Sequence, residues 1–152
     1  MALALPMRVA GLGGINGRIM SAEAYAALAE LVDDPASPLD EDVRTRVRAG
    51  ASISSRDYLT ALMKREQLKR VYTEATKDLD AVLTPTVVTP AIPVASIDQN
   101  TTPGMLTRWV NFLDLCALAV PNGFTAGGFP LSAPLGGRGC EGGVAWGAGG
   151  RR

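Results

Sequence analysis

DAVLTPTVVTPAIPV, residues 80–94, is the stretch on which the fold turns. Ala81, Val82 and Leu83 make a short apolar run that Thr84 and Pro85 end, and Pro90 and Pro93 then bar regular helix through Val94. The spacing predicts a buried strand followed by an extended loop. Downstream, TRWVNFLDLCALAVPNGFTAGGFPLS, residues 107–132, reads first as an apolar helix that begins near Thr102 and Pro103. Two short apolar runs follow around Asn122 and Gly123, with a second turn at Gly127 and Gly128, the pattern of adjacent strands. Arg108, Asn111 and Asp114 are the polar positions inside the helical part and recur every third residue, so they can share one face as a structural polar network. Burying them without partners would cost on the order of a few kcal/mol each.

Upstream the pattern is helical. Asn16 is the expected N-cap of a helix whose stripe is Met20, Ala24, Ala27, Leu28 and Leu31 and which ends near Asp34. Ser37 is the expected N-cap of a short second helix with Pro38 at its first helical position. Its acids Asp40, Glu41 and Asp42 come first and Arg44, Arg46 and Arg48 last, an order that suits the helix dipole. Ser54 with Asp57 three residues on opens the longest helix, over residues 55–78, with Leu62, Leu68, Tyr72, Ala75 and Leu79 on its buried stripe. Lys64, Arg65, Lys69 and Arg70 cluster on the other face. Glu66, Glu74 and Asp78 intersperse them, which favours surface ion pairs over a phosphate track.

At 152 residues and 15.9 kDa the chain fits one domain, able to bury about 68 to 70% of its unfolded surface. Fifteen basic and fifteen acidic residues leave no net field to attract nucleic acid or an anionic membrane. The absence of histidine excludes every mechanism that needs imidazole, the Ser-His-Asp triad and the common zinc ligand sets included. Cys116 and Cys140 are too few for a disulfide framework and read as reduced thiols, and residues 1–6 lack the basic region of a secretion signal. On these grounds a cytoplasmic location is expected. No membrane span is expected either, because the longest apolar stretch, residues 109–120, is interrupted by Asn111 and Asp114 and is shorter than the roughly 20 residues a bilayer requires. In residues 132–152, glycine, alanine, arginine and proline account for 15 of 21 positions, too little apolar surface to offset ordering entropy. That tail is expected to be disordered.

Three local patterns imitate chemistry. AGLGGING, residues 10–17, resembles a nucleotide-binding turn, yet Asn16 takes the last glycine position of GxGxxG. Ser54 and Ser55 with Lys64 suggest a serine nucleophile and its base, but capping explains the serines and Lys64 lies more than two turns away. Arg138, Arg151 and Arg152 among glycines suggest RNA binding without the repeat or the stacking partners it needs.

The ordered series NGRIMSAEAYAALAELVDD, DEDVRTRVRAG, SSRDYLTALMKREQLKR, DAVLTPTVVTPAIPV and TRWVNFLDLCALAVPNGFTAGGFPLS resembles the C-terminal part of amidase signature enzymes, a family that holds amidases, allophanate hydrolases and the A subunit of the tRNA-dependent amidotransferase. The resemblance covers residues 16–131 and implies part of an α/β/α fold around a mixed sheet. Its helices fall in the N-terminal half and its short strands in the C-terminal half. The domain then divides at residue 131, and residues 132–152 read as a tail with the composition of a GC-rich gene translated out of frame. The family hydrolyses carboxamide C–N bonds with a serine nucleophile, a cis-serine and a lysine base, without cofactor or metal. No GGSSGGS-like run occurs here, so no catalytic residue carries over, and the chain alone is expected to be inactive.

The resemblance also sets Thr86 and Asn111 near the cleft for a small amide substrate. Asn111 either braces the loop after LTPT or lines the pocket; bracing is favoured, with its amide buried. The strands of DAVLTP and CALAVP are expected to be central in the sheet. Missing neighbours would leave their edges open, with an exposed apolar helix over residues 105–115, a route to oligomers or aggregation. The alternative from another class is a helical interaction module that pairs with a larger chain.

Overall fold

The computed structural model describes residues 11–97 and 103–137. Helix α1 spans Leu12–Asp33, α2 Glu41–Arg48, α3 Ser55–Ala75 and α4 Arg108–Phe112, with 3-10 turns at Ala49–Ser52, Val94–Ser96 and Pro103–Leu106. Strands β1 (Val82–Leu83), β2 (Cys116–Phe124) and β3 (Pro130–Gly137) form an antiparallel sheet in the order β1-β3-β2. The fold is α/β, helical first and stranded later, as the sequence implies.

Gly11 caps α1, and Asn16 lies inside the helix, 5% exposed, with its amide donating to the Met20 sulfur at 3.3 Å. The expected cap at Asn16 is therefore replaced by a start one turn earlier. The buried face is Leu12, Asn16, Ile19 and Val32, while Met20, Leu28 and Leu31 are exposed. Burial of Leu12 and Ile19 outweighs the helix cost of Gly13, Gly14 and Gly17, which sit within α1 and form no phosphate loop. For α2 the cap is Asp40, which accepts from the Asp42 and Val43 amides; Ser37, the expected cap, instead has its carbonyl bound by Arg44. Acids in the first turn and arginines in the last match the dipole as expected.

Arg44 is the main anchor between these helices. Buried at 8% exposure, it donates to the carbonyls of Val32 at 2.7 Å, Asp34 at 2.8 Å and Ser37 at 2.7 Å, satisfying groups that the end of α1 leaves free. Gly50, in the turn after α2, allows that turn to touch α1 at Ser21.

Ser54 caps α3 as read from the sequence, accepting from the Asp57 amide at 3.1 Å and donating to the Asp57 carboxylate at 2.6 Å. The helix stops at Ala75, short of 78, where the Thr76 hydroxyl donates to the Tyr72 carbonyl. Lys64 pairs with Gln67 rather than approaching Ser54 or Ser55.

The core joins α1, α3 and α4 through Leu12, Ile19, Ala61, Tyr72, Trp109, Val110, Phe112 and Leu113. Tyr72 and Trp109 meet at 5.5 Å with their planes at 45°, and burial pushes the Tyr72 phenol up to about 12, opposed in part by Thr76. The long apolar helix expected from Thr102 onward is a 3-10 turn followed by one short α-helix, and most of its apolar residues are buried rather than exposed. Closing it requires Asp114 to take φ 54°, a left-handed conformation that aspartate tolerates better than most residues.

Among the described residues β3 lies between β1 and β2, and the outer edges of those two strands have no neighbouring strand. Asn122 and Gly123 make no turn; they lie within β2 at an irregularity between Pro121 and Gly123, with Gly123 at φ 138°. The reversal is at Gly127 and Gly128, closed by the Gly128 amide to the Thr125 carbonyl at 2.9 Å. Residues 132–137, which composition places in the tail, form most of β3. Gly136 answers a packing need, since a Cβ on it would sit 3.1 Å from the Trp109 ring. Residues 138–152 lie outside the described residues.

Candidate functional site

A groove opens where the loop after β1 runs beside the β2–β3 hairpin. The Thr84 amide reaches the Pro134 carbonyl at 3.3 Å, so the loop leaves the sheet still paired to β3. Two residues on, the Thr86 hydroxyl donates to the Ser132 carbonyl at 2.8 Å and lies 2.9 Å from the Ser132 hydroxyl. Pro85 cannot donate a backbone hydrogen bond, and this side-chain link keeps the loop against the strand. Beyond it, Val87, Val88, Pro90 and Ala91 face Asn122, Pro130, Leu131 and Ala133 across a cavity of 540 Å³. Thr84, Thr89 and Ser132 are its polar side chains besides Asn122, and the Thr84 hydroxyl is buried without a partner among the described residues. Such a site can hold an apolar group and hydrogen-bond a neighbouring amide, but among the described residues no acid, base or activated nucleophile lines it.

Thr86 does not line the cavity itself; it holds the wall in place, the bracing role expected of Asn111. Asn111 is exposed on α4, away from the groove lining, and its expected burial is overturned because the helix buries Trp109, Val110 and Phe112 instead. Arg108 is exposed too, so the structure does not gather Arg108, Asn111 and Asp114 into one network. Asp114 instead pairs with Arg65 and, at 2.9 Å, with Lys69, while the Arg65 Nε donates to the Phe112 carbonyl at 2.6 Å. The hydrogen bond from Lys69 holds the Asp114 carboxyl below its usual range, partial burial opposes this, and the charges of Arg65 and Lys69 add to it. Lys69 is raised in turn, first by Asp114. Helical spacing discloses the basic cluster but not its partner, which lies 45 and 49 residues away in sequence.

Among the described residues no three His, Cys, Asp or Glu side chains gather as a metal site, and no helix is long and apolar enough to cross a membrane. Helices packed on a small sheet, with a proline-rich loop beside a glycine-turned hairpin, define a mixed α/β unit that carries an apolar groove. The family model described as Amidase matches residues 16–140, and the chain belongs to that family. Fatty acid amide hydrolase of Medicago truncatula is 30% identical over 142 residues, which are 87% of this chain and 23% of the relative. A glutamyl-tRNA(Gln) amidotransferase subunit of Clostridium acetobutylicum is 27% identical over 78% of this chain and 26% of its own length. A solved amidase superposes with a TM-score of 0.87 at 24% identity, over 97% of this chain and 36% of that one. Allophanate hydrolase of Kluyveromyces lactis gives 0.71 at 27% identity, over 84% and 22%. The chain thus spans about a quarter of the length of these two curated relatives.

Proposed function

We propose that this chain is the C-terminal part of an amidase-type hydrolase, cytoplasmic and free of cofactors, whose whole domain cleaves the C–N bond of a small carboxamide. The reading is carried by the groove between the LTPT loop and the AVPNGF hairpin, which belongs to a fold shared almost end to end with a third of a solved amidase. In the complete domain a serine nucleophile, a cis-serine and a lysine base act from the upstream portion; the residues described here supply one wall of the cleft. Thr86 fixes that wall, and Asn111 stands at the exposed end of α4 as a candidate contact to substrate or to an upstream segment. Alone, the chain binds without cleaving, because affinity for the ground state cannot replace the missing covalent step.

The test is turnover of acetamide, benzamide and indoleacetamide by the purified chain, and by the chain fused behind the upstream two thirds of a related amidase. Turnover by the fusion alone is the expected result. Turnover by the isolated chain that vanishes in Ser55→Ala would overturn the reading.

A further inference from the structure

Helix α1 turns an apolar ridge to the outside. Met20 is 51% exposed, Leu28 42% and Leu31 43%, and Ala24 and Ala27 lie among them at helical spacing, so the five side chains share one face. The flanks of this ridge are occupied. Gly50 packs against Ser21 on one side, and on the other the Tyr58 hydroxyl of α3 donates to the Glu23 carboxylate at 2.9 Å. The order of residues along the ridge is matched about Ala24: Met20 and Leu28 stand four residues to either side of it, Arg18 and Glu30 six, and Gly17 and Leu31 seven. Arg18 and Glu30 are exposed and have no ion-pair partner among the described residues, whereas Arg48, Lys69 and Lys77 are all paired. A Cβ on Gly17 would meet nothing within 4 Å, so the surface above it is open. The exposed Leu59 and Met63 of α3 differ, since they lie among Lys64, Glu66 and Arg70 without any such matching order.

We infer that α1 docks on α1 of a second copy of this chain, antiparallel, about a two-fold axis at Ala24. Two-fold symmetry requires that if one residue meets another, the second meets the first across the axis. The ridge satisfies this with unlike, complementary residues. Met20 meets Leu28 of the partner subunit, Leu31 fills the open surface over Gly17 of the partner subunit, and Arg18 faces Glu30 of the partner subunit, each contact being made twice. Ala24 at the centre, with Ser21 and Ala27 beside it, lets the two helices approach closely. Six residues of helix rise about 9 Å, so the two ion pairs bracket the apolar contact roughly 18 Å apart. This self-complementarity selects the occupant, because a segment of unrelated sequence gains nothing from a matched order about one residue. A lipid surface fits less well: the charges bordering the ridge are Arg18 against Glu23, Glu30 and Asp33, the reverse of the basic border that anionic headgroups favour.

The experiment is sedimentation equilibrium of the 152-residue chain and its charge variants, and of the same series fused behind the upstream two thirds of a related amidase. One helix pair is at the small end of specific interfaces, so a dimer that forms reversibly at micromolar concentration is expected. Arg18→Glu and Glu30→Arg should each weaken association at least tenfold, because each places like charges opposite one another at both ends of the contact. Mixing the two single variants should restore the dimer, and so should combining both changes in one chain, since either combination returns opposite charges to each end. Leu28→Asp should abolish association and Met63→Asp on α3 should leave it intact; all four positions are exposed, so the core is untouched, and thermal melts check that each variant is folded. A wild-type chain or fusion that stays monomeric overturns the proposal. So does a dimer indifferent to the charge reversals, which would place the contact on another face, or a mixture of the single variants that fails to recover. Amide turnover is recorded separately and bears on the hydrolase reading alone.

Discussion

Gly50 lies so close to Ser21 that a Cβ on it would fall 2.0 Å from the Ser21 carbonyl oxygen and 2.7 Å from the Tyr25 Cβ. Both obstacles belong to α1, one of them to its backbone, so relief requires the turn at Ala49–Ser52 to move away from the helix. Gly50→Ala should therefore destabilise the protein by about 1 to 3 kcal/mol, the range for overpacking a close contact. Urea unfolding of the two proteins, with unchanged slope and a lower midpoint for the variant, is the check.

Arg44 should be among the least replaceable charged residues. Arg44→Met keeps most of the apolar stem and strands the carbonyls of Val32, Asp34 and Ser37, at a cost of about 2 to 4 kcal/mol. Arg44→Lys should recover only part of this, since one ammonium cannot reproduce the spread of a guanidinium fork. Thermal melts of the three proteins should rank wild type, Lys, then Met.

The Asp114 network should make stability depend on pH at both extremes. The folded carboxyl titrates below its unfolded value, so its contribution is present above about pH 4 and fades as pH falls through the folded value. Lys69 is raised above its ordinary value, so its share holds up to about pH 10 and is lost at higher pH. Asp114→Asn retains tolerance for the left-handed backbone while losing the charge. Its urea midpoint should lie below wild type at pH 7 and converge on it as acid protonates the folded carboxyl; a constant gap between the curves would contradict this account.

Thr86→Val keeps the shape of the side chain and removes the donor to Ser132. We expect a loss of about 1 kcal/mol, with faster amide exchange confined to the loop after β1. Uniformly faster exchange throughout the sheet would mean that the link supports β3 itself rather than the loop.

How much is legible in the sequence follows the range of each interaction. Ser54 and Asp57 are three residues apart, and their capping box is visible as a pattern and present as a structure. The strand at Val82 and Leu83, its proline-ended loop and the Gly127–Gly128 reversal are equally local, although the strand is not buried as expected, Leu83 being exposed. Arg44 looks in sequence like one more cation at a helix end, because the carbonyls it binds lie on the preceding helix and its connection. Spacing along one segment groups Asp114 with Arg108 and Asn111, whereas its partners come from α3. Gly136 counts by composition toward a disordered tail although it makes room for Trp109, a requirement visible only once α4 rests on the sheet. The groove obeys the same rule: Thr86 stands out in the sequence, but its bond to Ser132 needs β3 to be recognised beyond residue 131.

The register of β3 also sets an order of assembly. Its pairing with β2 closes through a short hairpin, whereas its pairing with β1 joins Val82 to Gly136 and Leu83 to Leu135 across most of the C-terminal half. Closing that long loop carries a larger entropic cost, for a strand only two residues long. The hairpin should thus form early and β1 arrive last, held by the Thr84 and Thr86 contacts to β3. Both walls of the groove then become neighbours in one late, reversible step, and opening β1 alone would dismantle the groove while leaving the helices assembled.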